Sequence, residues 1–303
     1  MKNWKKNVGR ILGRGLLRAL VVALRVIPLP KALAFGRLLG GVMRRFSKKR
    51  YAVALKNLRI AYGDTLSEQE RQRIAEECFR QFGMFAMEII KFAYLSSDEV
   101  AQRIHVSQET VALLEEARNE GHGCLLISAH LGNFEVGSRW LTDRGYEVYA
   151  LARESRDKGT TRLMTEMRER NGVHIITMAH SLKPLISALR RNAFVAIICD
   201  QNAADQFVPF FGRLTGTVDG PARFALKTGA PLIFYSCVRD GRDGYLAQIH
   251  GIYHAEKTED QQADIVRVTT EINLQLETMI RSCPEQWLWF HDRWKSSPKL
   301  ESE

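Results

Sequence analysis

Two patterns of apolar residues divide the chain. Between residues 51 and 121, apolar positions recur at helical spacing, and this stretch contains no convincing strand pattern. Ser67 followed by Glu70 is typical of a capping box that opens a helix, and Asp98 and Glu109 are expected to open two shorter helices. This part of the chain is therefore predicted to be helical.

Beyond residue 121, short apolar runs alternate with helical segments. The predicted helices lie near residues 158–171, 181–191, 219–229 and 263–282. The runs are rich in β-branched or aromatic residues and read GCLLISAH, YEVYALA, VHIIT, FVAIICD, PLIFYSCVR and YLAQIHGIY. Strands and helices that take turns in this way predict an α/β fold, in which helices flank one largely parallel mixed sheet.

Charge is distributed unevenly along the sequence. The first 50 residues contain 14 Lys and Arg and no Asp or Glu, whereas the remainder has 30 basic and 34 acidic residues. Such an excess favours a partner with an anionic surface, either lipid or nucleic acid. No linker or internal repeat divides the remainder. We therefore predict a basic membrane-association segment over residues 1–50 and a single domain, with a helical first part, over residues 51–303.

The basic segment has the pattern of an amphipathic helix. Arg10, Arg14, Arg18 and Arg25 share one helical face, while leucine and valine cover much of the rest, and Pro28 interrupts the helix. The uncharged run between Arg18 and Arg25 has only six residues. A membrane span prefers about 20 apolar residues, so a helix that lies in the plane of an anionic membrane fits this pattern better.

Three other interpretations of this segment stay open. The helix could be a short tilted span that its arginines anchor, or an ordinary amphipathic helix that packs on its own domain. Nucleic-acid binding is disfavoured, because only Trp4, Phe35 and Phe46 supply aromatic rings for stacking on bases. The segment also lacks the features of a cleaved secretory signal, so we expect it to be retained.

The cysteines indicate a reducing, cytoplasmic setting. They are odd in number and far apart, at Cys78, Cys124, Cys199, Cys237 and Cys283. This spacing predicts neither a disulfide framework nor a zinc site. We expect the chain to use no metal ion and no cofactor.

Candidate chemistry begins at SAHLGNFE, residues 128–135. His130 ends a predicted buried strand, and Glu135 lies in the first turn of the next helix. Ligands of open α/β sheets bind at the carboxyl ends of strands, so both side chains are expected at the mouth of a site. An imidazole can remove a proton from an alcohol, and a nearby carboxylate can fix its tautomer. The pattern therefore predicts a general base with its orienting acid.

The same residues also fit a capping glutamate beside a hydrogen-bonded surface histidine. Zinc is disfavoured, because the HExxH arrangement is missing. Ser128 and Cys124 are poor nucleophile candidates, since both lie inside the strand run without a G-x-S-x-G turn. A substrate that carries its own hydroxyl nucleophile would need only the base and its orienter.

Several sequence blocks resemble a known family. HLGNFE resembles the H-x4-D/E motif of glycerolipid-type acyltransferases, and the surrounding blocks are similar to the late acyltransferases of lipid A biosynthesis. These blocks cover roughly residues 40–295 and read NLRIAYGDTLSEQER, YALARESRDKGTTRLMTEMRERNG, CDQNAADQFVPFFGRLTGTVDGPARFALKTGAPLI and PEQWLWFHDRWK. The resemblance implies a glycerolipid-acyltransferase-like fold.

The resemblance also implies an activity. A fatty acyl chain would pass from acyl carrier protein, or from acyl-CoA, to a hydroxyl of a lipid A precursor at the cytoplasmic face of a bacterial inner membrane. The implied partners are that acyl donor, anionic membrane lipid and the glycolipid acceptor. Two alternatives remain: an acyltransferase that acts on another glycolipid, phosphoglycolipid or aminolipid, and a non-catalytic basic membrane-binding protein in which the motif is structural.

The resemblance assigns roles to individual residues. It implies that His130 is the general base and Glu135 its partner, and that Arg153 meets substrate phosphate or positions the donor. It matches Asp200 and Gln201 to the DQ pair of the family. Physically, an arginine offers a forked donor to phosphate, although Arg153 also fits an ordinary surface residue. Asp200 ends a predicted strand at the same edge as His130, where it also fits a helix or turn cap.

Arg223 is the last predicted substrate contact. It follows a turn at a predicted helix start, in GPARFALKTG. At that place it either contacts an anionic group or packs the helix. The aromatic residues of WLWFHDRW are expected to close the core or to lie near the membrane interface, with His291 in a structural role.

Overall fold

The computed structural model describes residues 19–153, 157–180, 182–241 and 244–298. Residues 19–26 are helical, and we label this described part α1. The other helices are α2 (Leu29–Phe46), α3 (Lys48–Tyr62), α4 (Glu68–Phe92), α5 (Ser97–Ala101), α6 (Gln108–Asn119), α7 (Phe134–Asp143), α8 (Lys158–Arg170), α9 (Leu182–Arg190), α10 (Gly220–Thr228) and α11 (Gln261–Ser282). The strands are β1 (Ile104–Val106), β2 (Cys124–Ser128), β3 (Val148–Ala152), β4 (His174–Thr177), β5 (Phe194–Ile198), β6 (Asn202–Phe210), β7 (Arg213–Thr217), β8 (Leu232–Asp240) and β9 (Gly244–Tyr253).

Seven strands form one sheet in the order β1-β9-β8-β2-β5-β3-β4, and β6 and β7 form a separate antiparallel hairpin. Within the sheet only β8 and β9 pair antiparallel, and the other neighbours are parallel. The predicted α/β fold with a largely parallel mixed sheet is confirmed. Two details were not predicted: the hairpin, and β1, which lies in the stretch that we expected to be wholly helical. With three residues, β1 is too short to show an alternating pattern.

Helices cover both faces of this sheet. All five residues of β2 are buried. Leu125 and Ile127 belong to one apolar cluster, while Cys124 and Leu126 belong to another. Because successive side chains of a strand point to opposite faces, these clusters are the two layers of core above and below the sheet.

The predicted capping box at Ser67 is present. Ser67 Oγ accepts a hydrogen bond from the Glu70 amide at 3.2 Å, and a Glu70 carboxylate oxygen accepts one from the Ser67 amide at 2.7 Å. Helices α5 and α6 occur as expected, but their N-caps are Ser96 and Ser107. Serine side chains therefore open these two helices, and the acidic residues that we had expected to open them lie in the first turn.

Pro28 separates α1 from α2, as the sequence predicted. Helix α2 then packs tightly on α4, because glycines meet at the crossing. A Cβ added at Gly40 would lie 2.1 Å from the Phe79 carbonyl oxygen, and one added at Gly83 would lie 2.1 Å from that of Gly36. No larger residue fits at these places, so the backbones of α2 and α4 approach each other closely at the crossing.

Another face of α2 is apolar and exposed. Its exposed apolar residues, which we call the α2 stripe, are Phe35, Leu38, Leu39, Val42 and Phe46. They recur at helical spacing and so share one face. No described helix is long and apolar enough to cross a membrane. The predicted arginine face lies mostly outside the described residues, since Arg10, Arg14 and Arg18 precede residue 19.

Candidate functional site

The residues HLGN form a sharp corner between β2 and α7. Gly132 has a positive φ of 59°, and a Cβ there would lie 2.3 Å from the Cys237 carbonyl oxygen, so the corner requires glycine. Asn133 is the N-cap of α7, because its side chain accepts a hydrogen bond from the Val136 amide at 3.1 Å. The strand end and helix start predicted for this stretch are therefore present, and His130 stands at the carboxyl edge of the sheet.

Asp200 holds His130 in place. Strands β2 and β5 are parallel neighbours in which Ser128 pairs with Ile198, so His130 and Asp200 each follow their strand by two residues. His130 Nδ1 lies 2.7 Å from Asp200 Oδ1, and the His130 amide donates to Oδ2 at 2.9 Å. Trp287 Nε1 also donates to Oδ2 at 2.7 Å. The carboxylate therefore fixes both the ring and the backbone of His130.

Electrostatics of the pair favour a charged carboxylate. Asp200 is only 2% exposed. Burial opposes its ionisation, but His130 and the hydrogen bonds from His130 and Trp287 outweigh burial and hold the pKa of Asp200 well below its usual value. Burial likewise opposes protonation of His130, whereas the charge and hydrogen bond of Asp200 hold the pKa of the imidazole above its usual value. The two side chains thus stabilise each other's charged forms.

Glu135 contacts Arg168 instead of His130. Arg168 donates to Glu135 Oε1 from Nε at 2.9 Å and from Nη2 at 2.6 Å. We had expected Glu135 to orient the imidazole, but the carboxylate at hydrogen-bond distance from Nδ1 is that of Asp200. The first turn of α7 directs Glu135 towards α8, which carries Arg168. Sequence reasoning missed Arg168, because no spacing links it to HLGNFE.

The other predicted residues occupy different positions. Gln201 Nε2 lies 3.5 Å from His130 Nε2. Arg153 is exposed directly after β3, at the carboxyl edge of the strand next to β5. Arg223, on α10, pairs with Asp219 at 2.7 Å, and its side chain is 51% exposed. The structure therefore joins Gln201 to the His130–Asp200 pair and leaves the two arginines exposed.

An open pocket lies beside His130. Much of its wall is apolar, with Phe82 and Phe85 from α4, Phe134 from α7 and Leu288 from the C-terminal segment. Phe134 also meets the imidazole edge-on, with ring centroids 5.7 Å apart. The site therefore places a basic nitrogen at the wall of an apolar space.

The C-terminal segment closes the site. Trp287, Trp289 and Trp294 are all buried, which confirms that the aromatic residues of this segment close the core. Leu131 forms a β-bridge with Trp287 next to the corner. His291 accepts a hydrogen bond from the Asn202 amide at 3.1 Å, in keeping with the structural role expected of it.

The arrangement can perform proton transfer. Because Nδ1 is bound to a carboxylate, Nε2 is the nitrogen that can accept a proton from a hydroxyl group. Among the described residues, no cluster of three or more metal-ligating side chains occurs.

Comparisons with known proteins find similar acyltransferases. The chain is 26% identical over 281 residues to the lipid A biosynthesis palmitoleoyltransferase of Escherichia coli K12, covering 91% of this chain and 89% of that protein. It is 28% identical over 283 residues to the lipid A biosynthesis lauroyltransferase of the same strain, covering 90% and 88%. It is 22% identical over 219 residues to the phosphatidylinositol mannoside acyltransferase of Mycobacterium tuberculosis CDC 1551, covering 70% and 67%.

A family comparison covers nearly the whole chain. The region that matches runs from residue 2 to residue 296 and so includes every element of the site. The chain therefore belongs to the bacterial lipid A biosynthesis acyltransferase family.

Proposed function

We propose that the protein transfers a fatty acyl chain from an acyl thioester, with acyl carrier protein as the carrier, to a hydroxyl of a lipid A precursor at the cytoplasmic face of the inner membrane. The observation that carries the proposal is the His130–Asp200 pair at 2.7 Å, which lies at the wall of an apolar pocket. A base beside an apolar space suits a reaction between a hydroxyl and a fatty acyl thioester.

The reaction proceeds in two steps. His130 Nε2 takes the proton of the acceptor hydroxyl while the hydroxyl oxygen attacks the thioester carbonyl. The tetrahedral intermediate then collapses, so that the carbon–sulfur bond breaks and the thiolate leaves with the proton from His130. Asp200 keeps Nδ1 protonated and stabilises the imidazolium between the two steps. No redox or metal step is needed to balance this transfer.

Two kinds of surface serve the substrates in this proposal. The aromatic wall formed by Phe82, Phe85 and Phe134 accommodates the acyl chain. Arg153 lies at the carboxyl edge that carries His130, where its guanidinium can grip a phosphate of the acceptor through two parallel hydrogen bonds. Arg223 is a second candidate phosphate contact, and it would have to exchange its bond to Asp219 for the acceptor.

Membrane attachment completes the proposal. The α2 stripe exposes five apolar residues, of which Leu38 is 64% and Phe46 is 80% exposed. Arg45, Lys48 and Lys49 lie close by along the chain and are exposed. Apolar side chains beside basic ones match the surface of an anionic leaflet. Residues 1–50 would then hold the site against the lipid that contains its acceptor.

A second candidate acceptor is a phosphoglycolipid. The observation that favours it is the 22% identity to a phosphatidylinositol mannoside acyltransferase. The two acceptors share sugar hydroxyls and phosphate, so the same base and the same arginines would serve either of them.

The test offers both acceptors to purified protein in anionic vesicles. Acyl carrier protein and CoA thioesters are supplied in parallel, and the acylated lipid is identified by mass spectrometry. His130→Ala is the inactive control, and Asp264→Asn, at a buried aspartate on α11, is the matched control for folding. Acylation of the lipid A precursor by the parent protein but not by His130→Ala supports the proposal. Acylation of neither lipid, or equal activity in His130→Ala, contradicts it.

A further inference from the structure

A second carboxylate lies beneath the HLGN corner, in the interior. Glu88, on α4, is completely buried. Its Oε1 accepts hydrogen bonds from Arg239 Nε at 2.6 Å and from Tyr245 Oη at 2.7 Å. Its Oε2 accepts one from Asn133 Nδ2 at 2.7 Å and another from Arg239 Nη2. Four donors therefore satisfy the carboxylate and fix its orientation.

Asn133 links this carboxylate to the corner. Asn133 Oδ1 caps α7 by accepting a hydrogen bond from the Val136 amide. The backbone amide of Asn133 donates to the Cys237 carbonyl at 2.6 Å, and its side-chain Nδ2 donates to Glu88. The residue is completely buried and lies three positions after His130. Rotation of this side chain would break the cap or the bond to Glu88, so Glu88 restrains Asn133 and, with it, the corner.

Arg239 holds the corner from a second direction. The backbone amide of Arg239 donates to Gln286 Oε1 at 2.9 Å, and Gln286 Nε2 donates to the backbone carbonyl of Arg239 at 3.1 Å. The Gln286 carbonyl in turn accepts a hydrogen bond from the Gly132 amide at 3.1 Å. The Glu88–Arg239 ion pair is thus connected to two successive residues of the corner, Gly132 and Asn133.

A buried ion pair is a poor way to stabilise a fold, since apolar residues of similar volume often stabilise it as well or better. The pair instead fixes the orientation of Arg239 and Asn133, because each of their donor groups must point at the Glu88 carboxylate. We propose that Glu88 is a positioning residue of the acyl transfer, which acts through Asn133 and together with Arg239 to keep the His130 imidazole at the pocket wall. The inference rests on the proposed function and adds a residue that touches neither substrate.

The test exchanges donor and acceptor across the Glu88–Asn133 bond. Asn133→Asp keeps the helix cap, since aspartate caps as well as asparagine, but it sets two carboxylates against each other. Glu88→Gln leaves one acceptor oxygen for four donors, so its NH2 group must face either Asn133 Nδ2 and Arg239 Nη2 or Arg239 Nε and Tyr245 Oη. Combining the two changes restores the hydrogen bond, with the introduced amide donating to the introduced carboxylate.

We expect each single variant to lose about 10-fold or more in kcat, because small displacements of a catalytic group cost up to about 100-fold. The KM for the acyl donor should change less than kcat, since neither Glu88 nor Asn133 lines the pocket, which Glu88 reaches only through Arg239. The double variant should recover part of the lost kcat, because the bond between positions 88 and 133 returns while Arg239 Nη2 still lacks its acceptor there. Parental kcat in both single variants, or a double variant no better than the worse single one, would overturn the proposal.

A second measurement does not depend on activity. Hydrogen exchange of the amides in residues 128–136 should accelerate in each single variant and slow again in the double variant. Asn273→Asp is the matched control, because Asn273 is equally buried but bonds to the Pro209 carbonyl on the hairpin. It should lower the melting temperature without changing exchange at the corner. If the parent protein transfers no acyl chain, the proposed function fails, while unchanged exchange in the single variants would still refute the role of Glu88.

Discussion

His130 Nδ1 and Asp200 Oδ1 lie 2.7 Å apart, although 70 positions separate the two residues along the chain. Parallel pairing of β2 with β5 brings them together at the carboxyl edge of the sheet. Trp287 donates to the same carboxylate, so three distant segments hold His130 in place. Because every donor to Asp200 favours its charged form, the imidazole is oriented with Nε2 available for a proton.

Replacing either member of this pair should abolish most of the activity. We expect His130→Ala to lose about 10²–10⁴-fold in kcat, which is the usual contribution of a positioned base. Asp200→Asn should lose a comparable or somewhat smaller factor, since the neutral amide no longer stabilises the imidazolium. Steady-state acylation rates check both values, with Asp264→Asn as the folding control. A fully active Asp200→Asn would show that this carboxylate is only structural.

Activity should depend on pH through His130. Because Asp200 raises the imidazole pKa, the acid limb of kcat/KM should have its midpoint above about 6.5, the ordinary value for histidine. In Asp200→Asn the midpoint should fall, since burial remains and the attraction is gone. A rate profile between pH 5 and 9 measures both midpoints, and equal midpoints would contradict the assignment.

The same pKa shift affects stability with a definite sign. The pKa of His130 is higher in the folded protein than in the unfolded chain, where it is about 6.5. Protonated His130 therefore stabilises the fold fully below about pH 6.5, and this stabilisation is lost as the pH rises through the folded-state pKa. The free energy of unfolding of His130→Gln should therefore differ from that of the parent more at pH 5.5 than at pH 8.5. Denaturant titrations at the two pH values provide the comparison.

Glu135 should matter mainly through Arg168. Removing one partner of a buried ion pair costs about 3 kcal/mol or more, and this pair is mostly buried, with side chains 8% and 18% exposed. Glu135→Gln should therefore lower the free energy of unfolding by roughly 3 kcal/mol. Adding Arg168→Met should restore much of it, because no unpaired charge then remains. A double variant as unstable as Glu135→Gln would disprove this account.

Arg153 should not be replaceable by lysine. A lysine keeps the charge but loses the two parallel hydrogen bonds. Transition-state stabilisation, calculated from kcat/KM for a phosphorylated acceptor, should therefore fall by about 1–3 kcal/mol. Slow hydrolysis of the donor should persist. Arg190→Lys is the matched control, since Arg190 is exposed at the end of α9 and precedes the amino end of β5, at the opposite edge. Equal losses in acylation and hydrolysis would assign Arg153 to the donor or to the fold.

The α2 stripe should bind lipid. Leu38→Asp places a charge where a leucine side chain would enter the bilayer, and losing that burial costs about 2 kcal/mol, or roughly 30-fold in affinity for anionic vesicles. Leu274→Asp, at a 54% exposed leucine on α11, is the matched control. Vesicle sedimentation at two salt concentrations measures the affinities. Equal binding by the two variants would exclude the stripe as the membrane surface.

Local patterns in the sequence determined much of this protein. Alternating apolar runs indicated the α/β fold, the glycine and asparagine after His130 indicated a strand-to-helix corner, and the acid-free first 50 residues indicated a basic segment. Each of these features depends on residues close together in the chain, where side-chain period, caps and charge act directly. The strands that deliver His130 and Asp200 to one edge could therefore be recognised individually.

Tertiary structure decided which residues meet. The sequence pointed to Glu135 as the partner of His130 because it lies five positions away, yet Asp200 occupies that place and Glu135 pairs with Arg168. The order of the strands selects the neighbour of β2, and this order results from the packing of the whole core, not from any local pattern. For the same reason nothing in the sequence indicated that Trp287 contacts Asp200 or that Glu88 lies beneath the corner. Interactions between nearby residues determine the helices and strands, whereas the pairing of distant strands determines which side chains meet at the site.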